Sequence, residues 1–291
     1  MRRTSIPLII ITLSWLLPQV ALASFITLVT QTTTTVNESE SQVHLSFTVR
    51  NDGDEQANEL YLSFPTVNRS QLLAKEIAPK AEATSAISFS FSELGITRQG
   101  NYTIPLHITY RDINSYPLSS PQLVFISRGT SPSRVFVGEY KGVSGPSLLS
   151  LSGPTEIALQ LTNTTAFPAK ITQFTFLAPT ELQAKLSGAS IPVEVAASTE
   201  HTLSIALRNS GALINSEYAT WTIVQGEIGD RHFAENFMLR VHIDPLVYST
   251  SFYMKALILS LGILTVLIWG ILWWRQRCRE NKVPSSITLP Q

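Results

Sequence analysis

The sequence predicts an all-β protein, built as two tandem β-sandwiches, followed by one C-terminal transmembrane helix. Three observations support this prediction. Apolar and polar residues alternate in many short segments between residues 24 and 246, which is the period of a strand with one buried face. Residues 256–274 carry no charged side chain. The 227 residues from 24 to 250 suffice for two domains of about one hundred residues each.

Residues 1–23 have the pattern of a secretory signal peptide. Arg2 and Arg3 precede a mostly apolar run at residues 6–17, which is too short to span a bilayer comfortably. A proline ends the run, and an A-x-A cleavage pattern follows. We therefore expect cleavage between Ala23 and Ser24, with an uncleaved membrane anchor as the alternative.

The first sandwich is predicted for residues 24–128. Residues 43–50 alternate without error, and Asx and glycine residues at 51–54 supply a turn. Pro105 lies within the longest alternating segment and lacks an N–H group, which predicts an edge strand or a bulge there. The further alternating segments of this half are residues 60–64, 87–91, 102–110 and 123–126.

The second sandwich is predicted for residues 133–246, after a short Gly-Thr-Ser-Pro linker at 129–132. Alternating segments recur at 157–161, 203–207 and 237–243. The two halves share one pattern at an offset of 112, since Leu45, Phe47, Val49 and Asn51 match Ile157, Leu159, Leu161 and Asn163. This correspondence predicts that the same architecture occurs twice.

A transmembrane helix is predicted for residues 252–274. Its uncharged part holds 19 residues and is about 28 Å long, close to the thickness of the hydrocarbon core. Aromatic rings flank the run, and a basic tail follows at 275–291. Because positive charge near a span stays in the cytoplasm, we expect the ectodomain in the periplasm or at the cell surface. The membrane anchors predicted from this pattern are Tyr253, Trp269, Trp273, Trp274, Arg275, Arg277 and Arg279.

Charge and composition exclude several classes of function. Residues 24–250 hold 14 basic and 20 acidic side chains, a net charge of −6, which argues against nucleic acid as a partner. A single cysteine, Cys278, excludes an intramolecular disulfide and any multi-cysteine metal site. The chain lacks the common phosphate-binding, metalloprotease and nucleophile-elbow motifs. We therefore expect no enzyme activity and no cofactor.

Two polar clusters and four sequons leave alternatives open. The turn at 51–55 could hold calcium, although it lacks the EF-hand spacing. His232 with Asp230 and Glu235 could bind another metal, although a solvated turn is the simpler interpretation. The N-x-S/T sequons, acceptors of glycans in a host that glycosylates, are at Asn37, Asn68, Asn101 and Asn163.

Residues 43–64 and 100–112 carry a resemblance to a known family. "VHLSFTVRNDGDEQANELYLSF" resembles the opening of the bacterial and archaeal CARDB (cell-adhesion-related) modules, and "GNYTIPLHITYRD" resembles their late strand. The resemblance is architectural and covers residues 24–128. It implies an Ig-like β-sandwich that binds or spaces outside the cytoplasm, with no fixed site to transfer.

The function expected from the sequence is that of a membrane-tethered, non-enzymatic interaction or adhesion module. Its partner would be another envelope or membrane protein, bound through a sandwich face or a strand edge. Tyr61, Tyr116 and Tyr140 lie outside the alternating core positions, which makes them candidate anchors. An accessory subunit of a membrane transport or secretion complex and a glycan-binding surface protein are the alternatives.

Overall fold

The computed structural model describes residues 25–143, 148–187, 191–244 and 250–280. The predicted signal peptide, with its cleavage site at Ala23 and Ser24, lies outside the described residues. The part of the basic tail that follows Glu280 lies outside them as well.

The described chain is mostly β-structure with one C-terminal helix, which confirms the predicted class at this level. A short 3-10 turn, Pro65–Val67, connects two strands of the first half. The strands of the first half are β1 (Leu28–Asn37), β2 (Gln42–Asn51), β3 (Ala57–Phe64), β4 (Arg69–Ile77), β5 (Glu82–Ser90), β6 (Gly100–Arg111) and β7 (Pro117–Arg128).

The second half continues the same kind of structure. The helix α1 spans Thr250–Glu280 and contains the apolar stretch Met254–Trp274. The strands are β8 (Phe136–Lys141), β9 (Leu148–Leu151), β10 (Thr155–Asn163), β11 (Ala169–Leu177), β12 (Leu182–Ser187), β13 (Val193–Val195), β14 (Glu200–Asn209), β15 (Glu217–Ile228) and β16 (Arg231–Ile243).

The chain divides into two compact units that are not continuous in sequence. The first unit runs to Val135 and also includes Ala169–Gln173 and Val224–Glu235. The second unit holds Phe136–Pro168, Phe174–Ile223 and the chain from Asn236 onward. The boundaries inferred from the sequence, with a linker at 129–132, stay predictions.

The first unit contains a three-stranded antiparallel sheet and a four-stranded one. The order of the first is β1-β2-β5, and in the second β4, β3, β6 and β7 are neighbours in that order. In β2 the buried apolar side chains come from the inward positions, as the alternation predicts, and they are Val43, Leu45, Phe47 and Val49. Phe64 packs at the centre, with its ring centroid 6.0 Å from that of Phe47 and 5.0 Å from that of Phe89.

The second unit also contains strands of two sheets. One sheet has the order β12-β14-β10-β8. In the other, β13, β11, β15 and β16 follow one another, and β9 pairs with β16 in parallel. The matched segment of β10 is buried at Ile157, Leu159, Leu161 and Asn163, like its counterpart in β2.

The first half of β6 is buried on both faces, which the sequence pattern did not predict. Thr103 occupies an outward position but is buried, and its N–H donates to Oε1 of Gln225 at 3.3 Å. The N–H of His232 donates to the carbonyl of Gln99 at 2.8 Å, where β16 pairs with Gly100. Pro105 lies beyond the last β3–β6 pair, so its missing N–H leaves no ladder bond unmade.

Asn51 closes the end of β2 with a buried side chain. Its Nδ2 donates to the carbonyls of Glu55 at 2.7 Å and Ile77 at 3.2 Å. Its Oδ1 accepts the N–H of Gly53 at 3.0 Å. All of these bonds fix the loop that follows the strand, since buried polar groups need such partners.

Asn163 performs the same task at the end of β10. Its Nδ2 donates to the carbonyls of Phe167 at 2.9 Å and Val195 at 3.0 Å, and its Oδ1 accepts the N–H of Thr165 at 3.0 Å. Both asparagines donate to the carbonyl of the fourth residue that follows and accept the N–H of the second. The repeat at an offset of 112 therefore has a structural counterpart.

Candidate interaction surfaces

Tyr61 lies on the outer face of the first unit. It is directly opposite Leu72 on β4 and Thr109 on β6. Tyr61 is 40% exposed and Leu72 is 44% exposed. Directly opposed residues have Cβ atoms about 5 Å apart, so the two side chains form one apolar patch. We call this pair, Tyr61 and Leu72, the Tyr61 patch.

Tyr116 lies in the β6–β7 connection, whose backbone is held by several bonds. Oδ1 of Asp112 accepts the N–H of Tyr116 at 2.7 Å, and the N–H of Asp112 donates to the carbonyl of Tyr116 at 3.1 Å. The N–H of Ile113 donates to Oε1 of Glu55 at 3.0 Å. Ile113 is 71% exposed, so this loop presents a second apolar group beside Tyr116.

Tyr140 has a different setting, inside the second unit. Its hydroxyl donates to the carbonyl of Phe237 at 3.0 Å and lies 2.9 Å from Oγ1 of Thr222. Burial raises the pKa of Tyr140 to about 12. The hydroxyl is thus engaged in packing β8 against β15 and β16, which leaves Tyr61 and Tyr116 as the more accessible of the three candidates.

The carboxylates of Asp52 and Asp54, in the acidic turn at 51–55, are engaged in local hydrogen bonds. Asp52 accepts two bonds from Arg50, at 2.8 and 2.9 Å, and these bonds lower the pKa of Asp52. Oδ1 of Asp54 accepts the N–H of Phe25 at 2.7 Å. The turn therefore fastens the start of the described chain to the first unit.

The second polar cluster is also occupied by local bonds. The ring of His232 stacks on Tyr102 with centroids 3.9 Å apart, and Oε1 of Glu235 accepts the N–H of Val135 at 2.8 Å. Oδ1 of Asp230 lies 4.0 Å from Nε of Arg231. Within the described residues, no group of three or more His, Cys, Asp or Glu side chains converges on a common point.

A groove of about 650 Å³ lies on the outer face of β12, β14 and β10. Glu156, Lys185 and Arg208 supply its charged lining, and Ala206 lies between the first two in the register. The rest of its lining is made of polar, small and aliphatic residues.

The four sequons differ in exposure. Asn163 is fully buried, and its Nδ2, the atom that a glycan would modify, donates to three backbone carbonyls. Asn68 is exposed in the turn after Pro65–Val67. Asn37 and Asn101 are partly exposed, and each accepts a bond from a nearby serine.

The predicted membrane anchors belong to α1. The side chains of Met254–Trp274 are exposed throughout, including Trp269, Trp273 and Trp274. This stretch is long and apolar enough to span a membrane. The backbone of α1 also includes Tyr253, Arg275, Arg277 and Arg279, but their side chains are outside the described part of the structure.

Comparisons with known proteins give only distant structural similarity. No protein-family model and no curated protein matches the chain. A mutant Salmonella alpha-2-macroglobulin is 12% identical, with a TM-score of 0.31 over 76% of this chain and 16% of that one. The YadV chaperone is 9% identical, with a TM-score of 0.28 over 72% of this chain and 99% of that one. A Ca2+-stabilized adhesin that helps an Antarctic bacterium bind ice is 12% identical, with a TM-score of 0.23 over 75% and 49% of the two chains. At these scores the similarities carry no argument about function.

Proposed function

We propose that the protein is a membrane-anchored, non-enzymatic interaction module whose ectodomain binds another protein of the cell envelope. The N-terminal units lie outside the cytoplasmic membrane, α1 crosses it, and the basic tail is cytoplasmic. The balance of charge supports this orientation, because the four basic residues of the tail follow the span directly.

Both units are Ig-like β-sandwiches in this proposal. A tyrosine near the start of β6 and another near the start of β15 support the assignment. The hydroxyl of Tyr102 donates to the carbonyl of Arg98 at 2.9 Å, and the hydroxyl of Tyr218 accepts the N–H of Leu213 at 2.9 Å. A tyrosine that bonds to backbone a few residues upstream is a known feature of Ig-like sandwiches.

The Tyr61 patch carries the functional part of the proposal. Tyr61 and Leu72 are exposed on a sheet whose own core is complete, since Leu60 and Leu62 on the opposite face are fully buried. The two side chains therefore do not contribute to that core. Tyrosine is among the residues that contribute most to protein interfaces, so the patch is suited to insert into a partner.

Partner capture tests this proposal. Full-length protein is crosslinked mildly in its native membrane, purified and analysed by mass spectrometry. We expect a specific protein partner with the unmodified chain, and its loss with the double variant Tyr61→Ser, Leu72→Ser. Phe167→Ser is the matched control, because Phe167 is also an exposed apolar side chain but lies in the second unit. Equal capture by the double variant, or no captured protein at all, would overturn the proposal.

The same experiment separates this function from the complex-subunit alternative. In a further variant, residues 254–274 are exchanged for an unrelated apolar span. Binding through the ectodomain predicts that the partner is retained. Loss of the partner on this exchange would place the interface in α1 and favour a subunit of a membrane complex.

A further inference from the structure

The outer edge of β1 is the least protected strand edge of the first unit. β1 pairs along its whole length, Leu28–Asn37, with β2 on one side. It belongs to a three-stranded sheet in which it is the outer strand. Its ten residues, LVTQTTTTVN, include no charge, no proline and no glycine. Such an edge is a template for a further strand.

The other three outer strands of this unit each carry a feature that blocks pairing. β7 contains Pro117 and Pro121, and β4 carries Arg69, Lys75 and Glu76 among its nine residues. The edge of β5 is covered by side chains from β4, because Arg69 and Gln71 donate to the carbonyls of Ser88 and Ala86 at 3.0 and 3.2 Å. Charged residues and prolines are the usual protection of strand edges.

The register shows which backbone groups face the open edge. The N–H groups of Asp52 and Asp54 donate to the carbonyls of Thr27 and Phe25, so the odd-numbered residues along this segment bond to β2. In an antiparallel ladder the bonded residues alternate. The N–H and C=O groups of Leu28, Thr30, Thr32, Thr34 and Val36 therefore point away from β2.

We propose that β1 pairs antiparallel with β1 of a second copy of this chain, so that two three-stranded sheets join into one sheet of six strands. The inference goes beyond the proposed function, because it concerns a different surface of the first unit and a second copy of the chain. A two-fold axis at Thr32 places Leu28 opposite Val36 and Thr30 opposite Thr34. This register satisfies about ten backbone hydrogen bonds.

Two features of β1 favour a second copy as the occupant. Thr30 has a buried Oγ1 atom without a hydrogen-bond partner, and this register brings Thr34 of the second copy next to it, a favourable cross-strand pair. The segment is uncharged, so two copies meet without repulsion. Glu38, which directly follows the strand, is paired with Arg128 at 3.0 Å.

Gln31 and Thr33 provide the test, because they are exposed on the outer face and the proposed register sets each opposite the other in the second copy. The full-length chain is examined by analytical ultracentrifugation in a mild detergent. We expect a dimer. The double variant Gln31→Lys, Thr33→Lys places like charges opposite each other and should weaken dimerisation by about tenfold. The matched control Gln31→Lys, Thr33→Glu places opposite charges there and should restore it.

A covalent trap tests the register directly. In a Cys278→Ser background, Thr32→Cys sets two thiols opposite each other at about 5.5 Å between Cα atoms, within the range of a disulfide. We expect a disulfide-linked dimer on mild oxidation in native membranes. Ala86→Cys at the middle of β5, where Gln71 donates to the carbonyl on the strand edge, should give none.

The outcomes separate this inference from the proposed function. A monomer, or a dimer that the two lysines leave unchanged, would overturn the pairing through β1, while partner capture through the Tyr61 patch would stand. If the unmodified chain captures no other protein but forms a dimer that the two lysines weaken, the proposed function is overturned and the edge pairing stands. A third outcome is that the unmodified chain captures a different protein, which is lost with both variants of positions 31 and 33. That result would show that β1 binds a strand of another protein, and it would overturn the second copy as the occupant.

Discussion

At the scale of single residues, the buried side chains of Asn51 and Asn163 stabilise the loops that follow two strands. Asn51 and Asn163 each hold the chain after a strand by donating and accepting bonds at once. An aspartate has the same size but cannot donate. The requirement for an amide at these positions can therefore be tested.

Asn163→Asp should destabilise the protein by about 3 kcal/mol, because it places a carboxylate against the carbonyls of Phe167 and Val195. Asn209→Asp is the matched control. Asn209 accepts the N–H groups of Gly211 and Ala212 through Oδ1, a role that aspartate keeps. The midpoint of urea unfolding of the full chain in detergent, followed by near-ultraviolet circular dichroism, measures both. Equal loss in the two variants would contradict the requirement for an amide.

His107 gives a prediction about pH. Burial lowers its pKa in the folded protein, and its Nδ1 is buried without a partner. As the pH falls below the ordinary histidine value of about 6.5, the unfolded chain takes up the proton first. The stability associated with neutral His107 is therefore complete above that pH and is lost as the pH falls towards the lowered pKa.

We expect the protein to lose more stability between pH 7.5 and pH 5 than the variant His107→Gln does. The urea midpoint at the two pH values measures this, and the comparison cancels the contribution of the carboxylates. An identical pH dependence in both proteins would show that His107 does not titrate differently on folding.

Much of the core could be predicted at this scale. Which of the outward strand positions are exposed to solvent could not. The period of two correctly placed Val43, Leu45, Phe47 and Val49 inside, because burial of alternate residues follows from strand geometry. In the alternating segment 102–110 the same period predicts that Thr103 lies outside, and that prediction was wrong, because Thr103 is buried. A residue's outer face can be covered by a segment more than one hundred residues away, which local alternation does not encode.

At the scale of elements, the parallel pairing of β16 with β6 depends on one glycine. Gly100 has a φ of +137°, and a Cβ atom there would lie 1.9 Å from the carbonyl oxygen of His232. The segment Val224–Glu235 could not keep its place against β6 with any larger residue at that position.

Gly100→Ala should therefore release this segment and cost about 3 kcal/mol or more. Gly229→Ala is the control: its φ is also positive, at +60°, but no atom lies within 4 Å of the added Cβ, so its cost should be about 1 kcal/mol. Limited proteolysis mapped by mass spectrometry should show cleavage within 224–235 only in the first variant. Protection of that segment in Gly100→Ala would contradict the contact.

The helix α1 gives a second test at this scale. Leu264 is at the middle of Met254–Trp274, and an arginine at the centre of a span costs about 3 kcal/mol in insertion. Leu264→Arg should reduce the fraction of protein that resists carbonate extraction from membranes. Trp274→Arg, at the end of the span, should have little effect. Equal extraction of both variants would count against a membrane-spanning role for α1.

At the scale of the whole molecule, the sequence predicted the class of structure and the apolar helix, because both depend on local periodicity and composition. It did not predict that the compact units are discontinuous, with Val224–Glu235 belonging to the first. It also singled out Tyr61 without its partner Leu72, since cross-strand neighbours depend on register. The bulge between Leu60 and Tyr61 sets that register and has no clear signature in the sequence.

The central claim is that the ectodomain binds a protein through the Tyr61 patch. The most direct measurement places a photoreactive amino acid at position 72 of the full-length chain and irradiates intact cells. We expect a crosslink to one protein species, which Tyr61→Ser weakens strongly and Phe167→Ser leaves unchanged. Crosslinks to lipid or to no protein, or a protein crosslink that does not depend on Tyr61, would contradict the claim.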